Sequence, residues 1–280
     1  MSNNLIEHVV GKLGKENSTA CKICGGTAQP FDFVDFNKTC DKSIYPSGLL
    51  GIPVLYRKCA DCYFIFTDFF DDFTPDQWRT HVYNDDYAKV DPDYESKRPR
   101  SNVMKINVLL IGRKNKIIGL DCGGGNGKTS ALLREQGWAF DSYDPFGHTD
   151  MSPERMGRYN FCSAMEVFEH SPNPVSSLQD IVGKMASGRV MIVIGTGIHD
   201  GIVSAQTRLS WWYAAPRNGH ISLYSRRSIE VLASKFGLSY ASIYPGTHLL
   251  TRDIGKRETL PMRSRLHLVW RVRHPLGSEQ

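Results

Sequence analysis

The chain has 280 residues, 41% hydrophobic and 22% charged, a balance that excludes a disordered or fibrous protein and suits a full core with a second small domain. No run approaches the roughly 18 apolar residues of a membrane span, and residues 1–8 lack the charged and apolar blocks of a secretion signal, so the cytoplasm is the expected compartment. Net charge is +5, yet residues 64–95 hold nine acidic side chains against Arg79 and Lys89, which argues against a nucleic-acid partner.

The first motif is Cys21-Lys22-Ile23-Cys24 with two glycines after it; 34 residues then separate Cys24 from Cys59-Ala60-Asp61-Cys62. Two such knuckles supply the four thiolates of a closed tetrahedral zinc site, and the glycines let the backbone turn back beneath the ion. A closed site leaves no position for water, so the zinc is expected to be structural. The alternatives are two disulfides, which need an oxidising compartment, and redox chemistry, which needs only one pair. Cys40 lies between the knuckles and reads as packing.

Residues 55–66 alternate apolar and polar around the second knuckle as a ribbon strand, and Phe69, Phe70 and Phe73 continue it. Thr74 and Pro75 then form a helix start, cap followed by first-turn proline. Residues 81–100 carry neither helical nor strand period. Their interleaved tyrosines and carboxylates read equally as a pocket mouth or a solvated linker. Residues 101–110 place Val103, Ile106, Leu109 and Leu110 at helical spacing.

An apolar run starting at Ile117 ends in Asp121 and is followed by Gly123, Gly124, Gly125 and Gly127. Helical spacing resumes after Lys128, giving strand, glycine turn and helix. A phosphate loop would need glycine where Cys122 stands, and a dinucleotide fingerprint would need it in place of Lys128. Asp-x-Gly-x-Gly-x-Gly, read as Asp121, Gly123, Gly125 and Gly127, resembles the first motif of class I S-adenosylmethionine-dependent methyltransferases. Residues 138–143 form a second strand ending at Asp144, 23 residues after Asp121; an acidic residue about 20 positions on accepts ribose hydroxyls in nucleoside-binding α/β folds. Only 14 residues separate Pro145 from Asn160, so the third strand expected of such a fold must be short or missing.

Residues 159–170 form the fourth strand and its turn. Glu166-Val167-Phe168-Glu169-His170 is similar to a Glu-Val-Leu-Glu-His segment of many methyltransferases, and the resemblance implies that Glu166 faces the cofactor and that His170 lies near the methyl donor. A helix from Pro174 and a buried strand over 189–194 follow. Trp211-Trp212-Tyr213 and the stretch to Ser225 are rich in aromatic, basic and imidazole groups; Ser225 caps a helix that Gly237 stops. His220-x-Ser222-x-Tyr224-Ser225 is similar to a segment of deoxysugar C-methyltransferases, which also begin with a four-cysteine zinc domain. That resemblance implies a general-base role for His220, although Arg217-Asn218-Gly219 replaces the tyrosine-histidine-glutamate lead-in of those enzymes. A structural histidine is the other reading of His170 and of His220. Strands are expected at 238–244 and 266–273.

The expected fold is α/β: a Rossmann-like methyltransferase sheet over 96–280, an acidic aromatic linker over 76–95 and a zinc ribbon over 1–75. The expected function is methyl transfer from S-adenosylmethionine to a small molecule, a sugar or nucleotide-linked sugar among the options, with no membrane partner. Cofactor contacts are assigned to Asp121, Gly123, Gly125, Gly127, Asp144 and Glu166. His220 is the first choice of base and His170 the second; Tyr224 orients the acceptor, and Trp211, Trp212 and Tyr213 exclude water. Zinc falls to Cys21, Cys24, Cys59 and Cys62. The alternatives are an RNA methyltransferase whose ribbon grips nucleic acid, and a non-catalytic nucleotide-binding scaffold. Nothing in the sequence reads on oligomeric state.

Overall fold

The structure, a computed structural model, describes residues 18–41, 48–94, 97–255, 257–262 and 264–265. In chain order the strands are β1 (Thr19–Ala20), β2 (Thr27–Asp35), β3 (Pro53–Cys59), β4 (Ile65–Phe66), β5 (Ile118–Cys122), β6 (Ala139–Tyr143), β7 (Phe161–Met165), β8 (Val190–Gly195), β9 (Ser222–Leu223), β10 (Ser239–Tyr244) and β11 (Thr247–Arg252). Helices α1 (Pro75–His81), α2 (Tyr87–Val90), α3 (Lys97–Leu109), α4 (Lys128–Glu135), α5 (Pro174–Lys184) and α6 (Arg226–Ser234) lie among them. Two compact units emerge, each discontinuous in sequence: Met1–Tyr94 with Glu169–Ser176 and Gly197–Leu232, and Glu95–Phe168 with Ser177–Thr196 and Ala233–Gln280.

The first unit holds an antiparallel sheet of order β1-β2-β3-β4-β9. Strand β2 carries a register shift between Pro30 and Asp32 opposite β3, as expected where proline offers no N–H to the ladder. Instead of one ribbon strand over 55–66, β3 stops at Cys59 for the knuckle and β4 resumes at Ile65. Phe69, Phe70 and Phe73 do not continue the strand: they follow β4 in turns, and Phe70 stacks on Trp78 at 5.1 Å. Helix α1 starts as its sequence requires, with Thr74 and Gln77 forming a reciprocal capping box and Pro75 in the first turn. The core of this unit joins Phe36, Tyr56 and Phe70 to Trp211, Ile221 and Leu223.

The second unit is built on a sheet of order β10-β11-β8-β7-β5-β6. Strands β6, β5, β7 and β8 run parallel, while β11 and β10 are antiparallel. Strand β8 is buried along its whole length, which explains its unbroken Val190-Met191-Ile192-Val193-Ile194 run. Between β6 and β7 the described residues contain only a short 3-10 turn, Pro153–Arg155, so the third strand is missing and β6 is the sheet edge. There Asp141 accepts hydrogen bonds from the Tyr159 hydroxyl at 2.8 Å and from Arg155 at 2.6 Å. Helix α3 buries Val103, Ile106 and Leu109 in a core with Phe140, Phe161 and Leu249; full burial of each such side chain is worth about 1.5–3 kcal/mol. The expected strand over 266–273 lies outside the described residues. The place beside β8 belongs to β11, which pairs Leu249 with Val193.

Candidate functional site

In the second unit the glycine turn leaves the C-terminal end of β5, where the chain order reverses: β6 lies on one side of β5 and β7 on the other. Ligands of open α/β sheets bind at such a switch point. Gly123 has φ +71°, and a Cβ there would collide with the Val167 side chain. Gly127 caps α4 in the left-handed conformation, and a Cβ on it would lie 2.5 Å from His148. Neither position has room for a side chain, so the turn stays thin, and the first amide of α4, that of Lys128, donates to Asn126 Oδ1 at 3.1 Å.

Asp144 follows β6 and ties its own loop to that turn. Its carboxylate accepts the Gly125 amide at 2.8 Å through one oxygen and the Phe146 amide at 2.8 Å through the other. Each carboxylate oxygen keeps a second lone pair, as two ribose hydroxyls require. Asp121 is buried beneath the turn and accepts the Ser163 hydroxyl at 2.6 Å. Burial pushes its carboxyl up to about 7, against the pull of Ser163 and with the added repulsion of Asp144. Glu166 directly follows β7 with φ +57°, a left-handed conformation that costs a non-glycine residue energy and clusters at functional sites. Its amide donates to the Gly195 carbonyl at 2.8 Å. Lys105 of α3 is half-buried; desolvation lowers its ammonium value, while Glu166 pulls it back up. Sequence reasoning passed over Lys105 because it lies on a helix read only for its apolar spacing.

In the first unit the four knuckle cysteines converge. The sulfurs of Cys21 and Cys62 are 3.6 Å apart, those of Cys24 and Cys59 3.4 Å, and all four lie within 4.8 Å of one another. Tetrahedral Zn–S bonds of 2.3 Å would put sulfurs about 3.8 Å apart. The amides of Ile23, Gly26 and Asp61 donate to the sulfurs of Cys21, Cys24 and Cys59 at 3.4–3.5 Å. The contact with Cys62 draws Cys21 down to about 5, and the same contact, with burial, pushes Cys62 up. These four residues could hold a metal ion.

The same unit gathers Glu169, His170 and His220, one ligating atom of each within 4.8 Å of the others. His220 Nδ1 is 2.9 Å from the Tyr213 carbonyl, and His170 Nδ1 is 3.1 Å from the Gly219 carbonyl. A carbonyl only accepts, so in the neutral rings both Nδ1 atoms carry the proton and both Nε2 atoms keep a lone pair. The Tyr213 hydroxyl donates to Glu169 at 2.5 Å, and the ring of Tyr213 lies 4.2 Å from that of His220. Cys40, read from the sequence as packing, has its sulfur 3.6 Å from His220 Nδ1. Tyr224 is buried against Phe64 at 5.0 Å; burial and then the Glu169 charge raise its phenol well above the ordinary value. Trp211 is buried in the core of the unit, whereas Trp212 is 58% exposed. The unusual lead-in to His220 has a structural use: Arg217 donates to the Val82 carbonyl at 2.6 Å and to Asn84 at 2.8 Å, and Asn218 accepts the Cys40 amide at 2.8 Å.

Of the residues singled out in the sequence, Asp121, Gly123, Gly125, Gly127, Asp144 and Glu166 thus meet at one end of the parallel strands, and His170 and His220 meet in the other unit. Sequence reasoning missed Glu169 and Tyr213 as partners. Its one available signal was an acidic residue directly before a candidate histidine.

The family described as a methyltransferase domain matches residues 94–243, more than half of the chain. No curated protein matches it. Among solved structures, the chain is similar to a plantazolicin methyltransferase in complex with a monoazolic desmethylPZN analogue and SAH, at 16% identity and a TM-score of 0.45 over 69% of this chain and 86% of that one. It is also similar to an O-methyltransferase family protein from Burkholderia thailandensis, at 14% identity and a TM-score of 0.41 over 59% of each chain. A magnesium protoporphyrin IX methyltransferase from Synechocystis PCC 6803 with bound SAH is similar at 14% identity and a TM-score of 0.39, over 66% of this chain and 95% of that one. Among the described residues no helix is long and apolar enough to cross a membrane. With the family matched and the glycine turn at the switch point of its sheet, the chain belongs to the methyltransferase-domain family as an S-adenosylmethionine-dependent enzyme.

Proposed function

We propose that the enzyme methylates a small molecule and that His220 takes the acceptor's proton, with His170 beside it. The observation that carries this reading is the hydrogen bond from His220 Nδ1 to the Tyr213 carbonyl. It fixes the ring and leaves Nε2 as the basic atom, as a general base requires. Tyr213 is itself held through Glu169, so the base rests on an immobilised neighbour. Buried Trp211 and Tyr213 would exclude water around it, and Tyr224 would orient the acceptor.

S-adenosylmethionine, when bound, supplies an electrophilic methyl group. Asp144 would hold its ribose hydroxyls, the thin turn from Gly123 to Gly127 would let its methionyl end approach backbone, Asp121 would buttress the turn, and Glu166 would face it. The Cys21, Cys24, Cys59 and Cys62 thiolates would hold a structural zinc ion in the N-terminal ribbon. Nine acidic side chains over 64–95 support a small acceptor over RNA, because they would repel a phosphate backbone. A sugar or nucleotide-linked sugar is the acceptor class to try first, on the similarity of the His220 segment and the four cysteines to deoxysugar C-methyltransferases.

A methyl-transfer screen with labelled S-adenosylmethionine over nucleotide sugars, small metabolites and structured RNA tests the reading. Turnover of a small molecule that vanishes with Asp144→Ala is expected. Transfer to RNA alone would overturn the acceptor class.

A further inference from the structure

We propose that Glu169, His170 and His220 form a second metal site, suited to a divalent transition ion such as Zn2+. Ligating atoms of the three residues lie within 4.8 Å of one another, and Glu169 and His220 are buried. Metal-ligating histidines almost always donate their other ring N–H to a carbonyl or carboxylate, which fixes the tautomer and aims the lone pair. Both imidazoles already make that bond, His170 to the Gly219 carbonyl and His220 to the Tyr213 carbonyl. Ligating carboxylates are likewise hydrogen-bonded, and the Tyr213 hydroxyl supplies this for Glu169. One tyrosine therefore braces two of the three ligands, through its carbonyl and through its hydroxyl.

The donor set decides the ion. Two imidazoles and one carboxylate suit Zn2+, Co2+ or Fe2+, while Mg2+ and Ca2+ prefer oxygen throughout. Bonds of about 2.1 Å place tetrahedral ligands about 3.4 Å apart, inside the 4.8 Å within which the ligating atoms of the triad lie. Three protein ligands leave a coordination position open, unlike the closed four-thiolate cluster. An ion here would occupy both Nε2 lone pairs. On the reading of His220 as base, metal beyond the thiolate site therefore inhibits turnover.

The test uses the full chain, dialysed so that only tightly held metal remains, then titrated with Co2+ alone. A second ion is expected whose absorption lacks thiolate charge-transfer bands. His170→Gln should weaken it by about 100-fold, and Tyr213→Phe, which removes only an outer hydrogen bond, by about 10-fold. Circular dichroism checks that both variants fold. No second ion at millimolar Co2+, or equal affinity in the wild type and both variants, would overturn the site. If the ion binds as described while His220→Ala leaves turnover intact, the metal site stands and only the base assignment fails.

Discussion

Tyr213 and Glu169 share a 2.5 Å hydrogen bond between buried side chains that lie 44 residues apart in sequence. Burying a carboxylate is costly unless donors meet it, and Tyr213 supplies one to Glu169 Oε1. Tyr213→Phe keeps the ring and removes the donor, so unfolding free energy should fall by about 2 kcal/mol, as for loss of a hydrogen bond to a charged group. Urea denaturation of the two proteins measures it, and equal midpoints with equal slopes would refute the coupling.

His220→Ala should lower turnover by about 100-fold or more at saturating cofactor, with cofactor affinity little changed, because general-base contributions are typically 10²–10⁴-fold. His170→Ala should cost less turnover and act on positioning. Steady-state kinetics on a turned-over acceptor, with calorimetry for the cofactor, separates the two; the reverse ranking moves the base to His170.

Asp144→Ala removes the acceptor of two backbone amides as well as the proposed ribose ligand. Cofactor affinity should drop by about 100-fold, the value of two charge-assisted hydrogen bonds at 1.5 kcal/mol each. Calorimetric titration reads this directly, and an unchanged dissociation constant would exclude Asp144 from the site.

Burial holds the Asp121 carboxyl at about 7, above its ordinary 3.8. Between those values the folded chain binds more protons at this position than the unfolded chain, so the Asp121 contribution to stability falls as pH rises from about 4 to about 7 and is level above that. Thermal melts of the cofactor-free protein across this window should show a decline that Asp121→Asn reduces. An identical pH profile in the variant would show that Asp121 titrates normally.

If the four thiolates hold zinc as proposed, Cys21→Ser should lose the ion and melt at a lower temperature, because structural-metal binding is folding free energy. Cys40→Ser should keep the ion, since Cys40 approaches His220 rather than the four-sulfur cluster. Elemental analysis after exhaustive dialysis decides; full zinc in Cys21→Ser would break the assignment.

What could be read from the sequence was what depends on neighbours in the chain. The glycine turn, the Thr74 and Ser225 caps and the missing third strand each follow from a few consecutive residues or from a gap too short to hold an element. Ser225 and Ser228 indeed exchange hydrogen bonds at 2.9 Å across the first turn of α6. Strand β2 was not legible because Pro30 and Asp32 disguise it, and a bulge accommodates them only once β3 lies alongside. Strand β11 was hidden because Thr247-His248-Leu249-Leu250 does not alternate, being buried on both sides beside β8. Glu169 depends on Tyr213, and no local pattern links them.

Strand β9 pairs Leu223 with Ile65 of β4, so the N-terminal sheet is completed only by residues far downstream. A ribosome releases the cysteine knuckles long before Trp211, Ile221 and Leu223, which belong to the core of the same unit. The knuckles can close on an ion early, but the unit around them must wait for about 160 further residues after β4. Until then the core of this unit lacks Trp211, Ile221 and Leu223, and a fragment ending near residue 94 would present the apolar surface they cover to chaperones or to other copies of itself.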